Sequence, residues 1–291
     1  MSSVAPGPFS AAPALAAVSR DGTSLAVFDV APATAPGAAG TDELPRPALL
    51  LVHGATADHT TWRNVGPVLA RTRRVLAIDR RGRGASGDAP GYAIEREYED
   101  IAAVADAIGE ATGGPVDVVG HSYGGRVGLG ASLLTATIRR LVVYEGAPVP
   151  AGMTYRPPGM VETVRDALDR GDNETALATF LAGIVGMSEA ALDAYRADPV
   201  WPTRVAAAPT ILREVDAEAT SAAGLDALGA VTVPVLLVLG SISRSPFRIG
   251  TDELAARLRD AHVVTIAGAA HAAHHTHAAE FVRAVEGFLE A

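Results

Sequence analysis

The sequence predicts an α/β fold: a mainly parallel sheet covered by helices on both faces, with an all-helical segment inserted into it. Three observations carry that prediction. Short aliphatic runs recur along the chain, separated by amphipathic helical patterns. One of these runs passes through a glycine-rich turn straight into a helix. Between 150 and 231, helical patterns follow one another with no convincing strand.

Taken in order, residues 17–19 and 24–30 flank Asp21 and Gly22, a turn pair that joins two strands as a hairpin. The stretch 31–47 is rich in Pro, Gly and Ala without periodicity and is expected to be a long, exposed and weakly ordered spacer. Residues 48–52 are uninterruptedly aliphatic, as in a strand buried on both faces, and run into His53, Gly54 and Ala55. Residues 75–78 repeat the pattern ahead of Asp79, Arg80, Arg81, Gly82, Arg83 and Gly84. Ile94, Tyr98, Ile101, Ala105 and Ile108 recur at helical spacing with charges between them, which predicts an amphipathic helix packed on the sheet.

The run 115–119 then meets Gly120, His121, Ser122, Tyr123 and Gly124, followed by the small-residue helix expected over 124–134. Further strands are expected at 141–144, 235–239 and 262–266, and Phe281, Val282, Val285, Phe288 and Leu289 form one face of a last helix. The expected organisation is a core of 1–149 and 232–291 with a helical cap of 150–231. Within the cap Met153, Tyr155, Phe180, Met187 and Trp201 suit either an apolar pocket or the cap's own core.

Composition narrows the function. With 291 residues, 48% of them hydrophobic, the chain has enough apolar surface for one α/β domain carrying a substantial insertion. A formal charge of −9 argues against nucleic acid as a partner, since tracking phosphates takes an excess of Lys and Arg. The absence of cysteine rules out disulfides, thiolate metal sites and a cysteine nucleophile. No run reaches the roughly 18 apolar residues that span a bilayer, so no membrane partner is expected. Residues 1–20 lack a basic region ahead of an apolar stretch, and a cytoplasmic location is expected.

A strand, a sharp G-x-S-x-G turn and a helix place a serine where its backbone is strained and its hydroxyl is presented. A serine hydroxyl is barely nucleophilic at neutral pH, so Ser122 needs a base, and the base needs an orienting acid. His271 follows the last predicted strand in Gly268, Ala269, Ala270, His271 and suits proton transfer in both directions. His274, His275 and His277 raise a metal reading. The chain has no His-Glu-x-x-His helix and no carboxylate or thiolate at ligand spacing, so no metal is expected and these three read as solvent-facing helix residues.

His53-Gly54, the run from Asp79 to Ser86, the elbow and the Gly-x-x-His ending together resemble the α/β-hydrolase superfamily over nearly the whole chain. The resemblance implies an eight-stranded sheet with a helical cap after the sixth strand. It implies no cofactor, and an oxyanion hole made by the backbone N–H groups of Ala55 and Tyr123. His53 and Asp79 are expected to be structural, Asp79 fixing the loop 80–84.

The chain departs from the family's commonest pattern at the triad acid. The loop after the seventh strand, 240–246, holds no carboxylate, and Asp252 and Glu253 fall in the helix beyond it. The other location used in the superfamily is the end of the sixth strand, where this chain has Glu145. The resemblance then implies Ser122, Glu145 and His271 as nucleophile, acid and base; the alternative at this point is a solvated or salt-bridged Glu145 and a dyad of Ser122 and His271. An elbow serine sets the chain apart from epoxide hydrolases and haloalkane dehalogenases, which attack with aspartate. The leading reading is a serine hydrolase acting on a small or medium carboxylic ester, lactone or thioester. A cofactor-free lyase or cyclase using His271 as base, and a non-catalytic small-molecule receptor, remain open beside it.

Overall fold

The computed structural model describes residues 7–33 and 46–291, so the spacer expected at 31–47 lies largely outside the described residues. The aliphatic runs become β1 (Leu15–Val18), β2 (Ser24–Asp29), β3 (Ala48–Val52), β4 (Val75–Ile78), β5 (Val116–His121), β6 (Ile138–Tyr144), β7 (Val235–Gly240) and β8 (Ala261–Ile266). They form one sheet in the order β1-β2-β4-β3-β5-β6-β7-β8. The hairpin β1/β2 and the pair β2/β4 are antiparallel, and every other neighbouring pair is parallel. Gly22 closes the hairpin turn at φ 86°, a region open to glycine.

Helices fill the connections: α1 (Gly66–Leu69), α2 (Ile94–Thr112) and α3 (Tyr123–Ala131) before β6. Between β6 and β7 come α4 (Met160–Asp169), α5 (Asn173–Phe180), α6 (Glu189–Arg196), α7 (Trp201–Ala206), α8 (Ile211–Ala217) and α9 (Leu225–Leu228), with no strand among the described residues there. Then α10 (Ser245–Ala255) precedes β8, and α11 (Ala273–Thr276) and α12 (Ala278–Glu290) close the chain.

In the central strands the aliphatic runs are explained by burial on both faces, whereas β8 at the sheet edge is largely exposed. Along β3, Leu50 and Val52 pack with Ile101, Val104 and Val127 of α2 and α3, while Leu49 and Leu51 pack with Trp62, Phe281 and Val285 on the opposite side. Each such side chain taken out of water stabilises the fold by about 1.5–3 kcal/mol. The helical segment has its own core, in which Tyr155, Phe180 and Trp201 meet Leu239 and Phe247 from the sheet side. Met153 is instead 41% exposed.

Strand β6 begins at Ile138, ahead of the expected aliphatic run. Arg139 and Arg140 lie inside it because their guanidinium groups leave the sheet for Asp117 and for the carbonyl of Phe288.

Candidate active site

Ser122 stands between β5 and α3 with φ 53° and ψ −122°. A positive φ strains any residue with a Cβ, and it persists only where the surroundings enforce it. Two glycines make the turn possible. A Cβ on Gly120 would lie 2.5 Å from Gly124 O, and one on Gly124 would lie 2.4 Å from both Val52 O and His53 O. Ser122 N donates to Tyr144 O at 2.7 Å, which ties the turn to β6.

Glu145 follows β6, also at positive φ (48°), and its N–H donates to Val238 O of β7 at 3.1 Å. Its carboxylate is buried and fully engaged. Oε1 accepts from Gly240 N at 2.7 Å and from the Ser243 hydroxyl, and Oε2 lies 2.6 Å from His271 Nδ1. The loop after β7 carries no acid of its own; instead Gly240 at the end of β7 and Ser243 in the loop donate to the acid that follows the neighbouring strand. A buried charge held by charge-assisted hydrogen bonds is the arrangement that offsets its desolvation.

His271 sits in the loop between β8 and α11. The Tyr144 hydroxyl accepts from Ala273 N at 2.9 Å and donates to Ala270 O, bracketing the histidine. Phe247 stacks on the imidazole with centroids 4.4 Å apart. His271 O lies 2.8 Å from His121 Nε2. A carbonyl only accepts, so His121 carries its proton on Nε2. Burial, reinforced by the nearby His271, pushes the His121 pKa well below its ordinary value and keeps the ring neutral. Among the described residues no hydrogen bond joins Ser122 Oγ to His271.

The loop after β3 passes against the elbow: a Cβ on Gly54 would lie 3.1 Å from the Cβ of Ser122. Neither Ala55 nor Tyr123 gives its backbone N–H to an acceptor among the described residues. His53 holds this loop, donating from Nδ1 to Gly54 O at 2.8 Å and accepting at Nε2 from Arg80 N at 3.0 Å. Burial pushes its pKa well below the ordinary histidine range, consistent with a neutral structural ring. Asp79 accepts from His59 N and Ala85 N, both at 2.9 Å, and so fixes the loop 80–84. Arg204 of α7 reaches the same region, donating to Ala55 O at 3.2 Å and Thr56 Oγ1 at 2.8 Å.

One expectation fails. His274 is not solvent-facing: it is 1% exposed, with its ring 4.4 Å from His121 and 5.2 Å from Trp62. His275 lies beside it at 4.2 Å, with Nε2 3.2 Å from Thr61 Oγ1. The short turn α11 sets the His274 ring among His121, Trp62 and Tyr144 and the partly buried His275 ring against Thr61. Among the described residues, Asp58, His59 and Asp79 bring potential metal-ligand atoms within 4.8 Å of one another. Both Asp79 oxygens are already committed to His59 and Ala85.

A cavity of about 770 Å³ opens between 148–156 and 218–226, lined in part by Arg126, Met153, Tyr155 and Glu218 and by none of Ser122, Glu145 and His271. Tyr155, which lines it, packs at a tilt against Phe247 with centroids 5.0 Å apart, and Phe247 in turn stacks on His271. The hydrogen-bonded pair of Glu145 and His271 thus lies outside this cavity, beside the elbow. Ser243, Tyr144 and Arg204 were not among the site residues expected from sequence. Only Ser243 carried a signal, as a hydroxyl in the loop where the family's commonest acid is missing.

The sequence pattern of the alpha/beta hydrolase family matches residues 49–284. A pimeloyl-(acyl-carrier protein) methyl ester esterase of Neisseria meningitidis serogroup B is 30% identical over 262 residues, covering 82% of this chain and 92% of that protein. The crystal structure of an alpha/beta hydrolase from Sphaerobacter thermophilus is similar with a TM-score of 0.72 at 28% identity, covering 92% of this chain and 99% of that one. That of a hydrolase from Pseudomonas aeruginosa gives 0.73 at 25% identity, covering 98% and 100%. With an eight-stranded sheet, a strained serine between its fifth strand and the next helix, and a family match over most of its length, the chain belongs to the alpha/beta hydrolase family.

Proposed function

We propose that this protein is a serine hydrolase that cleaves a small or medium carboxylic ester, lactone or thioester through an acyl-enzyme, under a helical cap formed by 150–231. The observation that carries the proposal is the 2.6 Å contact between His271 Nδ1 and the buried Glu145 carboxylate, next to a serine held at positive φ. A carboxylate only accepts, so the proton sits on Nδ1 and leaves Nε2 with a free lone pair. The Neisseria relative, an esterase by name, supports an ester as the bond cleaved.

In this reading Ser122 Oγ bonds to the substrate carbonyl carbon and its proton passes to His271 Nε2, a contact that tightens when substrate is bound. The carbonyl π pair moves onto oxygen, where the N–H groups of Ala55 and Tyr123 stabilise it by about 2.7–4 kcal/mol each. Collapse expels the alcohol or thiol, which takes the proton from His271. Water then bonds to the acyl carbon as the same imidazole takes its proton, and collapse breaks the Ser122 Oγ–carbon bond, with Oγ recovering the proton from His271 and the acid leaving.

The test is turnover of a p-nitrophenyl ester together with labelling by a fluorophosphonate. Wild-type protein should be labelled at Ser122, and Ser122→Ala should lose both label and turnover. A Ser122→Ala variant that keeps the wild-type rate overturns the proposal.

A further inference from the structure

Beneath Tyr123 lies a buried ionic network that the proposed reaction does not itself use. Arg80 pairs bidentately with Glu97 of α2, Nε to Oε2 at 2.6 Å and Nη2 to Oε1 at 2.8 Å. A second carboxylate, Glu214 of α8, reaches Arg80 and Arg83 together. All four side chains are at most 2% exposed. Two guanidinium groups and two carboxylates cancel formally, which makes burial of the set tolerable. Glu214 supplies the only carboxylate within salt-bridge distance of Arg83 among the described residues.

Arg80 touches both elements that carry the proposed oxyanion donors. Its guanidinium carbon lies 4.7 Å from the centre of the Tyr123 ring, a cation–π contact in a desolvated setting. The Tyr123 hydroxyl is 2.8 Å from that of Tyr92, which donates to Glu97. On the other side Arg80 N donates to His53 Nε2 at 3.0 Å and Nη1 to His53 O at 3.3 Å, just ahead of Gly54 and Ala55. A single side chain thus braces the loop before one donor and the ring of the other, and Glu214 is the contact that comes from the helical segment.

We propose that Arg80 is a positioning residue for the oxyanion hole and that Glu214 sets it in place, so that the hole reaches its working geometry only with α8 docked on Arg80 and Arg83. The proposal rests on the serine-hydrolase reading above. Its chemical consequence is selective. Ground-state binding of a carbonyl compound makes little use of the hole, whereas a tetrahedral adduct with a full negative charge on oxygen depends on it.

The experiment compares hexyl trifluoromethyl ketone, which adds to Ser122 Oγ while the serine proton passes to His271 and the carbonyl pair moves onto oxygen, with hexyl methyl ketone. The variants are Glu214→Gln, which keeps shape and removes charge, and Tyr92→Phe, which removes one hydroxyl and leaves every ion pair intact. For a partly displaced hole we expect Glu214→Gln to weaken the trifluoromethyl ketone and lower kcat by about tenfold to a hundredfold. Affinity for the methyl ketone and KM should stay within about twofold, because uniform binding is untouched. Tyr92→Phe removes the hydroxyl's two hydrogen bonds, to Glu97 and with Tyr123, at one remove from the donors, and should shift the same pair of readouts in the same direction by about threefold to tenfold. Equal weakening of both ketones, or no change in either with both variants folded, overturns the proposal. If wild-type protein binds the two ketones alike and Ser122→Ala keeps turnover, the serine-hydrolase reading itself has failed.

Discussion

Replacing Glu145 by Gln changes one oxygen to an NH₂ group, and the surroundings dictate which one. Gly240 N and the Ser243 hydroxyl both donate to the position of Oε1, so the amide oxygen must stay there. The NH₂ group then occupies the position of Oε2, 2.6 Å from His271 Nδ1, where a carboxylate had accepted a proton. Facing a donor, Nδ1 must turn acceptor, and the imidazole proton moves to Nε2. An imidazole in that tautomer has no lone pair for the Ser122 proton. The expected loss is about ten-thousand-fold in kcat, or about 5.4 kcal/mol of transition-state stabilisation. Steady-state hydrolysis of a p-nitrophenyl ester measures it, with circular dichroism to show that the variant is folded. Ser243→Ala is the control: it removes one donor to the carboxylate and leaves the tautomer intact, so its loss should stay near tenfold, in line with about 1.5 kcal/mol for a charge-assisted bond. A Glu145→Gln variant within about tenfold of wild type would refute the tautomer argument.

Two further outcomes follow from packing and burial. Gly124→Ala places a methyl 2.4 Å from two backbone carbonyls and should destabilise the fold by about 3 kcal/mol or more, read as a lowered urea midpoint at unchanged slope; a midpoint equal to wild type would mean that the elbow has slack. His53, His121 and His274 are held neutral well below the ordinary 6.5, and His275 is lowered to about 4, in each case chiefly by burial. The unfolded chain therefore binds more protons than the folded one between these values and 6.5, so stability is intact above pH 6.5 and falls as the pH drops below it towards 4. Urea titrations across that range should show a steadily falling midpoint, and a flat profile would contradict the buried neutral state of these rings.

The central strands and the elbow were legible in the sequence because β3, β4 and β7 are covered on both faces, which turns them into unbroken aliphatic runs. Where charge enters a strand, that signal fails: Arg139 and Arg140 hide the first residues of β6 because their partners, Asp117 and the end of α12, are remote in the chain. Ser122 and His271 stood out by motif and by position after a strand, and Glu145 by elimination within the family pattern. The inward turn of His274 was illegible for a different reason. A four-residue turn such as α11 carries no periodicity to say which way it faces. Glu214 and Arg204 gave no signal either, since each acts on the core across a chain separation of more than a hundred residues.

The backbone bonds around Ser122 and Glu145 also bear on how the site fluctuates. One hydrogen bond, Ser122 N to Tyr144 O, fixes the proposed nucleophile to the strand that bears the proposed acid, and another, Glu145 N to Val238 O, fixes that acid to the next strand. Their separation is therefore set by neighbouring central strands, the part of a protein that opens only when the whole molecule unfolds. His271 rides instead on a loop beyond β8, at the edge of the sheet. Local opening there would interrupt chemistry while leaving the rest of the molecule folded, which makes the histidine loop the rung at which activity and global stability part company.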